Sequence, residues 1–293
     1  MNILVMGGTR FFGVHLVRNL IKEGHEVTIA TRGNVGDDYG ALVNRIIVDR
    51  SNRDEMAAAF CGKHFDVICD NIAYSSLDVK NLLDQVTCDR YLLTSSVSVY
   101  PELALGVKEE DFNPFTYPLI WCTREEYSYD EIKRQAECAL FQKYSGISAA
   151  AVRFPYVIGE DDYTNRLFFY VEHIMRGIPM YIDNLEAETA FIHSAQAGSF
   201  LAWLTMGELT GPVNAAGSNT ITLSRIIRYV EGKSGKKAIL SDQGEPGPYN
   251  SDNTAFSLNT KKAEDFGFRF DKLDDWIYKL LDYIMMKLEY RDA

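Results

Sequence analysis

The sequence predicts an α/β fold, a doubly wound parallel sheet with a smaller C-terminal α/β substrate lobe. Three observations predict it. Strand-length apolar runs alternate with helix-length amphipathic runs through roughly the first 160 residues. The first strand and helix are joined by a glycine-rich turn, Gly7-Gly8-Thr9-Arg10-Phe11-Phe12-Gly13. Beyond Gly159 the alternation breaks down and helical segments mix with short strands.

Each element has its own signal. Asn2-Ile3-Leu4-Val5-Met6 is the first strand. After the turn, Val14, Leu16, Val17, Leu20 and Ile21 recur at helical spacing, and Gly24-His25 stops that helix. Val27-Thr28-Ile29-Ala30 and Arg45-Ile46-Ile47-Val48 read as the second and third strands, 53–60 as a helix, and Phe65-Asp66-Val67-Ile68-Cys69 as the fourth strand. Residues 78–86 read as helical, and Arg90-Tyr91-Leu92-Leu93-Thr94 as a fifth strand running into a serine cluster. A polar, proline-bearing insertion precedes a helix near 127–144 and a sixth strand at 149–154. Later helices are expected at 167–176, 194–206, 223–234 and 273–288. Six units with short joints imply a parallel sheet that binds ligands at the carboxyl ends of its strands. The expected division is a dinucleotide-binding domain, 1–160, and a substrate-binding lobe, 161–293, with a soft boundary across which C-terminal segments can return to the first domain.

Composition narrows the function classes. The chain has 293 residues and a formal charge of −11, which argues against nucleic acid as a partner, because such surfaces gather Lys and Arg to neutralise phosphates. The first strand starts at the second residue and no apolar run of about 18 residues follows, so a cytoplasmic protein with no membrane association is expected. The five cysteines are odd in number and lack metal-type spacing; they read as reduced, mostly buried thiols. His15, His25, His64 and His173 show no ligand spacing either, and no metal is expected. Glu160-Asp161-Asp162 reads as a solvated loop, Phe168-Phe169-Tyr170 as core or lobe interface, and His193 as a hydrogen-bonded structural histidine.

Two constellations carry chemistry. A glycine turn at a helix N-terminus offers backbone N–H groups and the positive end of a helix dipole to a pyrophosphate. Tyr129 and Lys133, four residues apart, share one helix face, and a lysine there is expected to lower the phenol's pKa and make it a usable acid or base. Ser95-Ser96-Val97-Ser98-Val99-Tyr100 follows the fifth strand, where a serine hydroxyl can hold a substrate oxygen against that phenol.

In order along the chain, these pieces resemble the extended short-chain dehydrogenase/reductase family, the NAD-dependent epimerases and dehydratases with a Rossmann-type fold. The resemblance covers nearly the whole chain: the glycine turn, Asp49 after the third strand, Ser-Ser-x-x-Val-Tyr, Tyr-x-x-x-Lys, Arg153 to Gly159, Phe191-Ile192-His193, and the 256–263 segment. It implies that Tyr129 is the catalytic acid/base, that Lys133 tunes it and binds the nicotinamide ribose, and that Ser96 rather than Ser95 orients the substrate oxygen. The implied cofactor contacts are Gly7, Gly8, Thr9, Arg10, Phe11, Phe12, Gly13, Arg32, Asp49, Arg50, Ala73, Lys133 and Pro155.

Departures from the family pattern matter as much. Arg10 replaces the middle glycine of the turn, a variant that resembles the branch of chloroplast stem-loop-binding-like proteins, whose plant members are linked to RNA. A nucleotide-sensing or RNA-associated protein without catalysis is therefore the alternative, although both Tyr129 and Lys133 are kept. The second strand ends in Ala30-Thr31-Arg32-Gly33 with no carboxylate for the adenosine ribose, and Arg10 and Arg32 suit a 2′-phosphate, so NADP is favoured over NAD. Thr189 stands where nucleotide-sugar enzymes of the family carry a diphosphate-gripping arginine; Arg166, Arg176 and Lys261 are possible replacements but read as solvated surface cations. Val97-Ser98 replaces the dehydratase Asp-Glu pair, disfavouring dehydration relative to epimerisation or carbonyl reduction. By analogy with the family a homodimer is expected, unless the apolar positions of 131–141 pack on the sheet.

Overall fold

In the computed structural model, which describes residues 1–249 and 255–291, a seven-stranded parallel sheet forms the centre of the molecule. Its strands are β1 (Asn2–Met6), β2 (Glu26–Thr31), β3 (Val43–Ile47), β4 (His64–Asp70), β5 (Thr87–Ser96), β6 (Ser148–Phe154) and, after short strands β7 to β10, β11 (Gly211–Asn214). Their order is β11-β6-β5-β4-β1-β2-β3, so the direction of winding reverses beside β1. That reversal leaves a crevice at the carboxyl ends of β1 and β4.

Helices α1 (Phe12–Lys22), α2 (Arg53–Phe60), α3 (Ser76–Leu83) and α4 (Tyr129–Cys138) connect the strands, and α4 runs on into a π-turn over Ala139–Lys143. Caps decide where they begin. Asn52 accepts from the amides of Asp54 and Glu55 at the head of α2, and Ser75 with Asp78 forms a capping box that starts α3 at Ser76, two residues before the position the sequence suggested. The apolar positions of 131–141, including Ile132, Ala136, Leu140 and Phe141, are buried within the protomer.

The remaining chain builds a second cluster. It contains β7 (Tyr156–Ile158), α5 (Arg166–Arg176), β8 (Met180–Tyr181), β9 (Glu188–Thr189) and β10 (Phe191–His193). After α6 (Ser194–Met206) and β11 come β12 (Ile221–Thr222), α7 (Leu223–Ser234), β13 (Glu245–Pro246), α8 (Lys261–Asp265) and α9 (Ile277–Arg291). Helices α5, α7 and α9 bury Tyr170, Ile174, Ile226 and Leu281 together. In contrast, β11 and α6 join the first layer, with β11 pairing β6 and α6 lying on α1. Gly198 allows that approach, since a Cβ there would come within 2.7 Å of the Leu16 amide nitrogen and the Phe12 carbonyl oxygen. No helix among the described residues is long and apolar enough to cross a membrane, and none of the five cysteines is paired.

Candidate active site

The glycine turn begins where β1 ends. Gly7 and Gly8 both have φ of +96°, a region L side chains avoid, and a Cβ on Gly8 would approach Val17 Cγ2 to 2.9 Å. The buried Tyr39 hydroxyl donates to the Gly8 carbonyl at 2.6 Å and pins the turn from below. Phe11, at φ 55°, leads into α1, and among the described residues no side chain caps the start of that helix. Its first-turn amides and dipole are thereby left to an incoming anion.

The other expected cofactor contacts surround this turn. Thr9, Arg10 and Phe11 line a cavity of about 440 Å³ with His15, Arg18 and Tyr163. The Arg10 guanidinium lies 5.5 Å from the Tyr163 ring, which itself meets Phe11 edge-on at 5.9 Å. The 160–162 loop is tied down rather than simply solvated: Asp161 bonds His15 at 3.0 Å and Ser194 at 2.6 Å, and Glu160 pairs with His193 at 3.1 Å. His193 also caps α6 through the Ala195 amide, a structural role. Arg32 is exposed just past β2. Asp49 follows β3 and accepts from the Ser51 hydroxyl and amide at 2.7 and 2.9 Å, bonds that hold its carboxyl below the usual range.

Arg50 does not share that exposure. It is buried and forks onto Asp70 at 2.7 and 3.0 Å, with Asp78 at 3.3 Å, so its guanidinium is committed to an internal ion-pair network instead of a ligand. Its neighbour Asp49 shares the loop but points the other way in burial. Spacing alone does not separate the two.

Ser96, Tyr129 and Lys133 converge on the main cleft, of about 910 Å³, whose walls also include Phe11, Phe12 and Pro155. Ser96 ends β5, with its hydroxyl 3.0 Å from that of Ser98. Ser95 points inward and donates to Glu137, which is salt-bridged to the fully buried Arg153. Tyr129 opens α4 and is 48% exposed at the mouth. Lys133, one turn later, is only 3% exposed and donates to the carbonyls of Ala73 at 2.9 Å and Thr94 at 2.8 Å. Ala73 is fully buried, so its contribution is this carbonyl.

Electrostatics correct one expectation. Burial pushes Lys133 down from 10.5 to about 8, against the pull of Asp70 and Asp78. The Tyr129 phenol is nevertheless raised above its ordinary value by desolvation, with the Ser96 hydroxyl acting in the opposite sense. Lys133 does not acidify it because the ammonium is turned onto two carbonyls and lies 4.5 Å from the ring of Tyr74, which meets Tyr129 edge-on at 6.2 Å. Tyr74 lines the cleft although no periodicity or motif marks it, and the Arg124 guanidinium backs its ring at 4.4 Å. Arg166 also departs from its reading as a surface cation, since it is half-buried and lines the cleft. Lys261, by contrast, is exposed and paired with Asp265, and Arg176 pairs with Glu172.

Residues 3–204 match the model of the NAD dependent epimerase/dehydratase family. The chain belongs to that family. Among curated relatives it is 26% identical over 198 residues to chloroplast stem-loop binding protein of 41 kDa b from Arabidopsis thaliana, covering 62% of this chain and 49% of that one. It is 24% identical over 273 residues to UDP-glucuronic acid decarboxylase 1 from Xenopus tropicalis, covering 83% and 64%. The chain thus spans about half of the length of the first relative and just under two thirds of the second. Its fold matches that of DesIV, a dTDP-glucose 4,6-dehydratase from Streptomyces venezuelae, at TM-score 0.75 and 17% identity over 99% of this chain and 98% of that one.

Proposed function

We propose that the protein is an NAD(P)-dependent oxidoreductase or epimerase that acts on a carbonyl or hydroxyl carbon of a nucleotide-sugar or related molecule. The observation that carries this reading is the convergence of Ser96, Tyr129 and Lys133 in one cleft whose wall runs through Phe11 and Phe12 to the glycine turn. The cradle fits a dinucleotide: the turn takes φ values that keep Cβ atoms away, α1 is uncapped, and Lys133 has one N–H left after its two carbonyls. Pro155 lines the same wall. When bound, the nicotinamide supplies or accepts a hydride.

The remaining work falls to side chains. The Tyr129 hydroxyl passes a proton to or from the substrate oxygen, and the Ser96 hydroxyl, bonded to Ser98, holds that oxygen in place. Lys133 enters as a ribose ligand, not as a preformed partner of the phenol in the free protein. Arg10 and Arg32 support NADP over NAD, since both are exposed cations, one within the turn and one just past β2, and no carboxylate ends β2. DesIV was solved with NAD, and the Xenopus relative's name describes action on UDP-glucuronic acid; these neighbours support the cofactor class and the kind of substrate.

The similarity to a stem-loop binding protein keeps an RNA-associated role as the competing reading. Fluorescence titration of the purified protein with NADPH, NADH and a structured RNA separates them. Micromolar binding of either cofactor, with no RNA binding, supports the enzyme. Binding of RNA alone overturns it.

A further inference from the structure

At the end of the sheet opposite the cleft, three side chains with metal-ligand chemistry meet. His64 and Asp66 stand two apart at the start of β4, so both project from one face of that strand, and Asp89 comes from β5. The parallel register sets Phe65 beside Cys88 and Val67 beside Arg90, which places Asp66 opposite Asp89. One ligand atom from each of the three lies within 4.8 Å of the other two. Spacing along the chain does not show this, because the third group arrives from the neighbouring strand. The carboxyl end of β4, where the cleft opens, is roughly 20 Å away at about 3.3 Å per residue.

The cluster is short of positive charge. Carboxylates opposed across a strand pair repel, and among the described residues neither has a lysine or arginine within ion-pair distance. Asp66 accepts from the Asn2 amide at 2.7 Å through Oδ2, which leaves Oδ1. The imidazole completes the set. Thr87 Oγ1 donates to the Lys63 carbonyl at 3.4 Å and so accepts from His64 Nδ1, 3.0 Å away. That bond keeps a proton on Nδ1 and turns Nε2 toward Asp89 Oδ2, at 3.6 Å. A second proton, on Nε2, would serve one carboxylate; a divalent ion serves both. Thr87 thus does for His64 what an outer hydrogen-bond partner does for a metal-bound histidine, fixing the tautomer and the ring.

We propose that His64, Asp66 and Asp89 bind a divalent transition-metal cation of the Zn²⁺ type. One imidazole with two carboxylates favours Zn²⁺, Co²⁺ or Ni²⁺ over Mg²⁺ and Ca²⁺, which prefer oxygen ligands alone. The 3.6 Å between Nε2 and Oδ2 is close to the roughly 3.3 Å edge of a tetrahedron whose ligands lie about 2.0–2.1 Å from the metal. Three protein ligands leave a fourth position to water, and the exposure of His64 and Asp89 gives the ion its entry path. Bound there, the ion clamps the amino ends of β4 and β5 beside the start of β1.

Isothermal titration with ZnCl₂, and titration with CoCl₂ followed by visible absorption, test the proposal on Cys61→Ser, because the exposed Cys61 thiol close before His64 is a competing zinc ligand. His64→Gln and Asp89→Asn are added singly to that background; both side chains are more than half exposed, so the fold survives their exchange. The expected result is one Zn²⁺ per chain, binding at least about tenfold weaker in each added variant, Co²⁺ bands of tetrahedral type that disappear with His64, and no competition from millimolar Mg²⁺. Zn²⁺ should also raise the thermal midpoint of Cys61→Ser and leave that of the variant lacking His64 where it was. Absence of stoichiometric binding, the outcome if His64 is simply protonated and paired with Asp89, overturns the proposal. So does binding that either added substitution leaves unchanged.

Discussion

Lys133 gives the sharpest prediction because its burial has a measurable thermodynamic signature. The ammonium is 3% exposed, and its pKa falls from 10.5 to about 8 on folding. Below pH 8 both the folded and unfolded chains hold the proton, and the folded state bears the full cost of the desolvated charge. Between pH 8 and 10.5 the unfolded chain binds more protons than the folded one, so stability rises with pH. At about 1.4 kcal/mol per pH unit, that interval is worth about 3 kcal/mol. Buried tyrosines with raised pKa values, such as Tyr91 and Tyr249, act with the opposite sign above pH 10, so the comparison has to be a difference. Urea denaturation of wild type and Lys133→Met at intervals from pH 7.5 to 10.5 supplies it. The stability of wild type relative to the variant should climb by about 3 kcal/mol across the range, a figure that follows from the same linkage. A flat difference would refute the claim that this lysine is held desolvated under Tyr74.

Three further outcomes follow from named contacts. Gly8→Ala should cost about 1–3 kcal/mol in denaturant unfolding and weaken cofactor binding, because the new Cβ meets Val17 at 2.9 Å with φ at +96°. Arg50→Met should destabilise by about 3–5 kcal/mol, leaving Asp70 and Asp78 as buried charges without their partner, and Arg50→Met/Asp70→Asn should recover part of the loss; thermal unfolding reads both. Replacing Arg10 and Arg32 together by Ala should weaken NADPH more than NADH by roughly tenfold in a fluorescence titration, and equal losses would remove the argument for NADP.

Much of the first layer was legible because local chemistry agreed with the final packing. The helices at 53–60, 194–206 and 223–234 appear with the bounds the sequence suggested; Asn52 and Thr222 mark two of those starts through side-chain caps. Strand β11 was not legible: Gly211-Pro212-Val213-Asn214 is short and contains a proline, which suits an edge strand but resembles a turn in sequence. In the site, the four-residue spacing puts Tyr129 and Lys133 on neighbouring turns, but it carries no information about where a long flexible side chain points. Tyr74 and two carbonyls decide that, and they come from the loop after β4 and from β5. Arg50 and Asp49 show the same limit, since adjacent residues in one loop end in a buried network and in solvent reach. Arg166 was misread because nothing local distinguishes a cation at a helix start from one that faces a cleft whose other walls carry Phe11, Ser96, Tyr129 and Phe256.

The central claim is that Tyr129 moves a proton while hydride passes beside it. The most direct measurement mixes wild type and Tyr129→Phe, each loaded with oxidised cofactor, with UDP-glucose, UDP-glucuronate or glucose 1-phosphate and follows the absorbance of reduced nicotinamide in a single turnover. Wild type should reduce its cofactor, and Tyr129→Phe, binding cofactor equally well, should do so roughly 100- to 10,000-fold more slowly. Equal rates in the two proteins would contradict the account.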